Sequence, residues 1–574
     1  MRSATRVDFS APLDARARFA RLFGAWTLFF LASPGVLSDD GSALLAVVGA
    51  IAFGLTVIRP VGRSRRPGRA AFVAEWLAAC YGFSAQMIWI WHVVPFGFLY
   101  PGLGQGLYAA LSGWLARRIA ARHGPAIGPA IGAAAGVLAL ELLRTLFVTP
   151  FGLGWQRLAH CGLDAWAGLL PWLGIEGVTL TVAALVGAAV ADAGRGARRR
   201  VTIGIVGLAL LGLAAGRWAP LPAANAAGDD ELTLLLVQPG FSQERKRSDD
   251  AEANFRASFR QTLDALERVE RPVDLVVWGE SMLYVPLTTP AARAAVKAGV
   301  TAPDWVAALG PGGRARELFA LFRQRERAWV ERQLLPALPE GTAFASGAEA
   351  FDVVDGQIRS RNVIALWRAD GERQPLAAKR LLVPFAETLY GFEAVDLVRH
   401  VVRGVAGYVP DFQPARETAV LELAPGGPRI GATVCFDNAF ESLYVGAGGP
   451  AGVDLHLVVS NEAWYRNAFE MDQMIAFTRA LALITGRPFA RATNSGVTAW
   501  IDAEGQVRGR LEVDGQDRGV AGTLTATVPL PADRTVRTPY EHLRTPLRLA
   551  LLALLAVLLW VPVRTTRDPA PVVR

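Results

Sequence analysis

Eight apolar stretches dominate the sequence, and seven of them fall within the first 216 residues. They cover residues 22–37, 43–58, 70–99, 102–115, 125–148, 163–190, 201–216 and 549–563. A helix needs about 20 residues to cross a bilayer, so the shorter stretches need help from their flanking residues. Helices buried in a soluble core are the alternative, but soluble chains usually carry about a quarter charged residues, and this chain carries 19%. We expect a polytopic α-helical membrane domain with about eight spans.

The arginines between these stretches predict an orientation. The segments rich in arginine are 2–21, 59–69, 117–122, 195–200 and 564–567, whereas the alternate connections 38–40, 100–101 and 149–162 contain only Arg157. Cytoplasmic loops retain Lys and Arg, so both termini are expected in the cytoplasm and the long segment between the last two spans outside it. The net charge of +8 is therefore assigned to membrane topology, and no nucleic-acid partner is expected.

Ionisable side chains interrupt the apolar stretches. Glu75 lies in the third stretch, Glu141 and Arg144 lie in the fifth, and Glu176 lies in the sixth, at its edge or at a break. Glu141 and Arg144 are three residues apart, so they share a helix face and can pair. An ionisable group inside a span suggests a function, and a structural pair facing the helix bundle is the alternative.

After about residue 220 the pattern changes from long apolar runs to short ones. Runs at 232–237, 275–278, 343–347, 363–367, 430–434 and 455–459 are typical of buried strands, and 250–269 and 470–484 of helices. Strands alternating with helices predict an α/β sandwich. The expected domains are therefore a membrane domain at 1–219, a soluble α/β domain at 220–545, and a last span with its tail at 546–574.

Three residues at or near predicted strand ends could carry chemistry: Glu280, Lys379 and Cys435. A carboxylate can remove the proton of a thiol, and a lysine can stabilise the thiolate and the oxyanion that follows. Each residue alone has an ordinary structural interpretation, so the argument depends on all three. The three cysteines of the chain are too few for a disulfide framework and lack the spacing of a metal site.

The combination resembles the carbon–nitrogen hydrolase (nitrilase) superfamily, whose triad is Glu, Lys and Cys in this order. The motifs that carry the resemblance lie at 277–281, 379–387, 434–437, 460–464 and 486–496. Eight spans with such a domain before the last one resemble the apolipoprotein N-acyltransferase family, over nearly the whole chain. That family consists of membrane enzymes that add the third acyl chain to bacterial lipoproteins. The resemblance implies an αββα sandwich outside the cytoplasm.

The resemblance also implies roles for individual residues. Glu280 would be the general base, Lys379 the stabiliser of oxyanion and thiolate, and Cys435 the nucleophile. The supporting residues would be Asn362, Glu387, Asp437 and Trp464, the last on a mobile loop over the cavity. Four positions depart from the family pattern: Gly279 stands for Pro, Phe436 for Tyr, Arg466 for Gly and Ile484 for Glu.

The implied reaction moves an acyl chain from a phospholipid, through a Cys435 thioester, to the N-terminal amine of a diacylated apolipoprotein at the periplasmic side of the bacterial inner membrane. No metal or other cofactor is implied. A membrane-tethered amidase would use the same triad with water as acceptor, and exclusion of water separates the two. A paralogue would acylate another amine or a polyprenol-linked acceptor. A non-catalytic relative is disfavoured because all three triad residues are present.

Overall fold

The computed structural model describes residues 8–9, 11–62, 64, 66–146, 155–194, 199–247, 250–300, 314–406 and 409–561. The chain divides into two compact units. The first joins Met1–Pro222, Ala468–Ala476 and Thr538–Arg574, and the second joins Ala223–Asn467 and Phe477–Arg537. Several residues used to predict topology lie outside the described residues, including the arginines at 2, 6, 63, 65, 195 and 198 and the tail after 561.

The first unit is helical. Its long helices are α1 (Ala15–Ala32), α2 (Ala43–Val57), α3 (Pro67–Gln86), α4 (Leu99–Arg122), α5 (Gly124–Leu146), α6 (Leu170–Gly194), α7 (Arg199–Trp218) and, near the far end of the chain, α14 (Pro539–Trp560). Each predicted apolar stretch overlaps one of these helices. Among the described residues, four helices are long and apolar enough to cross a membrane: Gly124–Thr145, Leu170–Ala193, Ile203–Asn225 and Pro539–Trp560. The count of eight spans and their orientation remain predictions.

Two helix boundaries differ from the prediction. The predicted turn at 100–101 is wrong, because Pro101 lies in the first turn of α4, where the missing N–H of a proline is tolerated. The connection lies earlier, because α3 ends at Gln86 and only a short 3₁₀ helix, Ile88–His92, follows. The last helix begins at Pro539, well before residue 549, because Thr538 and Glu541 form a capping box there.

A break in α6 explains the polar residue near its start. Gly174 has φ of 60°, and a Cβ at this position would lie 2.2 Å from the Tyr540 ring. Just after the break, Glu176 accepts hydrogen bonds of 2.6 Å from the Tyr540 hydroxyl and of 2.6 Å from Arg548 Nε. Glu176 therefore joins α6 to α14 within the first unit.

The second unit contains two sheets. The strands are β1 (Ala227–Gln238), β2 (Leu275–Trp278), β3 (Leu287–Thr288), β4 (Ala343–Val354), β5 (Gln357–Trp367), β6 (Ala377–Ala378), β7 (Ala419–Glu422), β8 (Arg429–Val434), β9 (Leu455–Ser460), β10 (Phe489–Thr493), β11 (Ala499–Ile501), β12 (Val507–Arg510) and β13 (Gly522–Pro531). One sheet has the order β13-β1-β2-β4-β5-β6 with β3 paired to β4, and the other has the order β12-β11-β10-β9-β8-β7.

The remaining helices are α8 (Gln243–Arg247), α9 (Ala251–Leu266), α10 (Pro290–Lys297), α11 (Arg314–Glu326), α12 (Asp396–Ala406) and α13 (Glu470–Thr485). A π-helix, Arg327–Leu334, continues α11. The α13 helix begins in the first unit and ends in the second.

Apolar side chains fill the space between the two sheets. Leu234, Leu236 and Val277 of the first sheet form one buried cluster with Leu457 and Val459 of the second. Because strand residues alternate in direction, the opposite face of each sheet must be covered as well.

Helices cover these outer faces. Phe255 of α9 and Trp329 pack with Trp278 in a cluster on the first sheet. On the second sheet, Thr478 of α13 accepts a hydrogen bond of 3.2 Å from Arg491 of β10. The predicted αββα sandwich is confirmed.

Parallel strands set the position of the candidate site. β1, β2 and β4 are parallel neighbours, as are β8, β9 and β10. The carboxyl ends of parallel strands lie at one edge of a sheet, which is where open α/β sheets bind ligands. Glu280 follows β2, Cys435 follows β8, and Ser460 ends β9, so all three lie at such edges.

Candidate active site

The Glu280 turn is held against the end of the second sheet. The Glu280 N–H donates to the Ser460 carbonyl at 3.3 Å. A Cβ on Gly279 would lie 2.8 Å from the Thr493 carbonyl carbon and 2.9 Å from the Asn494 nitrogen, which is closer than side-chain carbons approach backbone. This close approach gives a physical reason for glycine where the family usually has proline.

Cys435 occupies a strained corner. It follows β8, begins the 3₁₀ helix Cys435–Ala439 and has φ of +51°. Such a backbone costs a residue other than glycine on the order of 1–3 kcal/mol, and strain of this kind clusters at functional sites. The residue is 7% exposed. The corner therefore places a buried thiol at the carboxyl end of the strand, where it also belongs to the apolar cluster between the two sheets.

The predicted charged residues come together. Lys379 Nζ lies 2.8 Å from a Glu387 carboxylate oxygen and 4.0 Å from Glu280 Oε1. The Asn362 amide donates to Glu280 Oε1 at 2.7 Å and to Glu387 Oε1 at 3.0 Å. Four residues that are far apart in sequence thus form one hydrogen-bonded group. Asn362 hydrogen-bonds Glu280, and Glu387 accepts a hydrogen bond from Lys379.

Asp437 connects the segment after Lys379 to the Cys435 corner through backbone hydrogen bonds. Its carboxylate accepts hydrogen bonds from the N–H groups of Arg380 at 3.2 Å, Leu381 at 2.8 Å and Val434 at 3.3 Å. Burial raises the pKa of Asp437 to about 6, against the opposing effects of Lys379 and these backbone donors. The contacts fix the segment after Lys379 to the corner that holds the cysteine.

The electrostatics of the site keep the thiol protonated at rest. Burial raises the pKa of Cys435 well above its usual value, and the carboxylates of Glu280 and Glu387 add to the rise, whereas Lys379 and the Ser460 hydroxyl oppose it. Burial lowers the pKa of Lys379, but the surrounding carboxylates outweigh burial and raise it overall. Lys379 is therefore a permanent cation, and the thiol needs a base at the moment it reacts.

The structure accommodates Trp464 and three residues that depart from the family pattern, Arg466, Phe436 and Ile484. Trp464 is half-buried in the 3₁₀ helix Glu462–Tyr465, on the loop that leaves β9. Arg466 adopts the left-handed conformation, with φ of +50°, that glycine would favour at the end of this helix. Phe436 packs against Phe440 with ring centroids 4.9 Å apart, and Ile484 is fully buried in α13.

The sequence analysis missed one charged residue of the site, Lys246. Its Nζ donates to the Glu280 carbonyl oxygen at 3.0 Å. The signal that could have found it is composition: the chain has three lysines among its 59 Lys and Arg residues. Lys246 and Lys379 both lie at the site, and Lys297 is exposed at the end of α10.

The chain is similar to known proteins over most of its length. No family model matches the chain. A protein of Bordetella bronchiseptica named apolipoprotein N-acyltransferase is 27% identical over 540 residues, covering 87% of this chain and 89% of the relative. The resemblance to the apolipoprotein N-acyltransferases is thereby confirmed. An N-acyltransferase of Rhodopseudomonas palustris with the same name is 24% identical over 560 residues, covering 93% of this chain and 91% of its own.

Solved structures of the nitrilase superfamily are also similar. An amidase from Nesterenkonia sp. is 16% identical, covering 55% of this chain and 95% of its own, with a TM-score of 0.32. Saccharomyces cerevisiae Nit3, a member of branch 10 of the nitrilase superfamily, is 13% identical, covering 56% of this chain and 97% of its own, with a TM-score of 0.33. The fold assignment rests on the order and pairing of the strands in the two sheets.

Proposed function

We propose that this protein transfers an acyl chain from a phospholipid, through a thioester on Cys435, to the N-terminal α-amine of a diacylglyceryl-cysteine apolipoprotein. The names of the relatives support a lipoprotein acceptor. The observation that carries the proposal is the strained, buried thiol beside the group formed by Glu280, Lys379 and Glu387. The four apolar helices support a place in the membrane, where both lipid substrates reside.

In the first half-reaction, the Glu280 carboxylate takes the proton of Cys435 as Sγ attacks the ester carbonyl carbon of the phospholipid. The carbonyl oxygen becomes an oxyanion, which the Lys379 ammonium stabilises. The oxyanion then collapses and the bond to the glycerol oxygen breaks. Glu280 returns its proton to that oxygen, so a lysophospholipid leaves and the acyl chain remains on sulfur as a thioester.

In the second half-reaction, the neutral α-amine of the apolipoprotein attacks the thioester carbon. Glu280 takes a proton from the nitrogen, the carbon–sulfur bond breaks, and the proton passes to the departing sulfur. The products are an amide and the free Cys435 thiol, so the enzyme returns to its starting state. A thioester is activated towards amines without a nucleotide, which suits the predicted site outside the cytoplasm.

The neighbours of the triad have positioning roles in this proposal. Asn362 orients the two carboxylates, Glu387 holds Lys379, and Asp437 holds the cysteine corner. We assign to Trp464, on the loop that follows β9, the role of keeping water from the thioester. Exclusion of water makes the difference between transfer and hydrolysis.

The test is intact-protein mass spectrometry after incubation with phospholipid alone. We expect a hydroxylamine-labile acyl adduct on the wild-type protein and none on Cys435→Ala, with Cys80→Ala and Cys161→Ala as matched controls that keep the adduct. An acceptor with a free N-terminal amine should discharge the adduct into an amide, and an N-acetylated acceptor should not. An adduct that forms equally on Cys435→Ala would refute the proposal, and discharge only to free fatty acid would favour the amidase.

A further inference from the structure

Lys246 belongs to the short helix α8, which borders the candidate active site. Its ammonium donates to the main-chain carbonyl of Glu280 at 3.0 Å. The same helix contacts the β9 loop, because the Asn461 amide donates to Gln243 Oε1 at 3.2 Å. Lys246 is therefore held beside the turn that carries the proposed base, between two segments that border the site.

The electrostatic surroundings of Lys246 differ from those of Lys379. Burial lowers the pKa of Lys246 to about 8, and the charges of Glu280 and Cys435 oppose this effect. Among the described residues, no carboxylate oxygen lies within 4 Å of its Nζ, whereas Lys379 is ion-paired with Glu387 at 2.8 Å. Lys246 is therefore a cation at the turn of the proposed base, and its charge is not already matched by a direct ion pair.

The reaction moves negative charge towards the sulfur. Before attack, the carboxylates that act on Lys379 are those of Glu387, Glu280 and Asp437, and Lys379 alone cannot balance them. When Glu280 takes the proton of Cys435, its charge disappears and an equal charge develops on sulfur and then on the oxyanion. A buried site with one cation would carry an excess negative charge throughout, and unbalanced charge in a low dielectric is costly. A second cation reduces that excess.

The composition of the chain supports a specific use of lysine here. Three lysines stand among 59 Lys and Arg residues, and two of the three lie at the site. An ammonium is a compact point charge that fits a small site, whereas a guanidinium is a broad planar fork. Arginine serves for positive charge almost everywhere else in this protein, so the two site lysines are exceptions to its usage.

We propose that Lys246 is a second cation of the active site, which positions the Glu280 turn through its hydrogen bond and balances the negative charge that passes from Glu280 to the Cys435 sulfur and the oxyanion. Lys246 keeps its proton during the reaction, and no bond to it forms or breaks. The inference rests on the proposed function for the reaction step. The effect of the Lys246 charge on the Cys435 thiol, however, does not require a substrate.

The test measures alkylation of Cys435 by iodoacetamide at pH 7, with peptide mass spectrometry to separate Cys435 from Cys80 and Cys161. Lys246→Gln keeps a hydrogen-bond donor but removes the charge, and Lys246→Arg keeps the charge. We expect Lys246→Gln to slow alkylation about tenfold, since a nearby opposite charge shifts a pKa by one unit or more. Lys246→Arg should stay within about threefold of wild type. Lys297→Gln, the exposed lysine, is the matched control and should change nothing.

The outcomes separate charge from hydrogen bonding. Alkylation of Lys246→Gln at the wild-type rate would overturn the inference, and so would slower alkylation of Lys246→Arg than of Lys246→Gln, because in neither case would the positive charge favour the thiolate. Formation of the acyl adduct should follow the same order of variants. A wild-type protein that is alkylated normally but never acylated by phospholipid would contradict the proposed function, and the alkylation ratio would still decide the role of Lys246.

Discussion

Glu141 in the helical unit and Glu280 in the α/β unit are both buried carboxylates, but their partners differ. Glu141 Oε1 lies 3.0 Å from Arg144 Nη1, and its Oε2 lies 2.9 Å from Arg157 Nε. Glu280 instead accepts a hydrogen bond from the neutral amide of Asn362. Glu141 is thus matched on both oxygens by guanidinium groups, which supports the structural interpretation of the pair on α5.

The partners of Glu141 and Glu280 show what a buried carboxylate needs in order to act as a base. A carboxylate held by two guanidinium groups gains little from taking a proton, because it would lose two charge-assisted hydrogen bonds. Glu280 would lose much less, since its ammonium neighbour Lys379 lies 4.0 Å away. The same residue type is therefore a structural anchor in one unit and a candidate base in the other.

The largest effect is expected from Glu280→Gln. Glutamine keeps an acceptor for the Asn362 amide and nearly the same shape, but it cannot take the thiol proton. We expect the rate of Cys435 acylation to fall about 10²–10⁴-fold, the usual contribution of a general base, with little change in thermal unfolding. Single-turnover formation of the acyl adduct gives the rate.

If Cys435 of Glu280→Gln were acylated at the wild-type rate, another group would remove the thiol proton. Glu280 would then not be a base, and it would not differ from Glu141 in this respect. Loss of folding in this variant would also contradict the argument, because Glu280 would then be an anchor like Glu141.

The converse variant, Glu141→Gln, should act on stability. It leaves Arg144 and Arg157 without their carboxylate, and breaking a buried ion pair costs about 3–5 kcal/mol. We expect a clear fall in the unfolding temperature in detergent, with the acylation rate per folded molecule within a few-fold of wild type. Glu252→Gln is the matched control, because the Glu252–Arg256 pair is more than half exposed on both sides and should contribute little. Unchanged unfolding of Glu141→Gln would contradict its role as an anchor.

The sequence correctly predicted that Glu280 and Cys435 follow buried strands, because strand ends are local features, and parallel strands bring such ends to one edge. It could not find the second arginine of Glu141, since Arg157 stands alone in the connection 149–162 and only packing brings it to α5. Lys246 was missed for a similar reason: α8 is too short to show periodicity, and its contact with Glu280 joins residues that are 34 positions apart. Pro101 was misplaced because proline both ends helices and begins them.

A third buried titratable residue, His456, extends the comparison to a group with neither role. It is fully buried on β9, with its ring centroid 5.1 Å from that of Tyr444 and 4.7 Å from that of Phe489. Burial lowers the pKa of His456 to about 3, and the charges of Arg487 and Arg537 add to the effect. The folded protein therefore holds this histidine neutral.

The pH dependence of stability follows from this shift. In the unfolded chain a histidine takes up a proton near pH 6.5, so between pH 6.5 and about 3 the unfolded state binds more protons than the folded state, and stability falls as the pH falls. From pH 7 to pH 5 the loss of stability attributable to His456 is about 2 kcal/mol.

His456→Phe cannot be protonated and suits the aromatic cluster, so we expect its unfolding temperature to fall less than that of wild type over this range, by several degrees. His400→Gln, which removes an exposed histidine of the same unit, should keep the wild-type slope. Equal slopes for His456→Phe and wild type would mean that the ring takes up its proton at the same pH in the folded and in the unfolded chain, and His456 would then not belong to the neutral core.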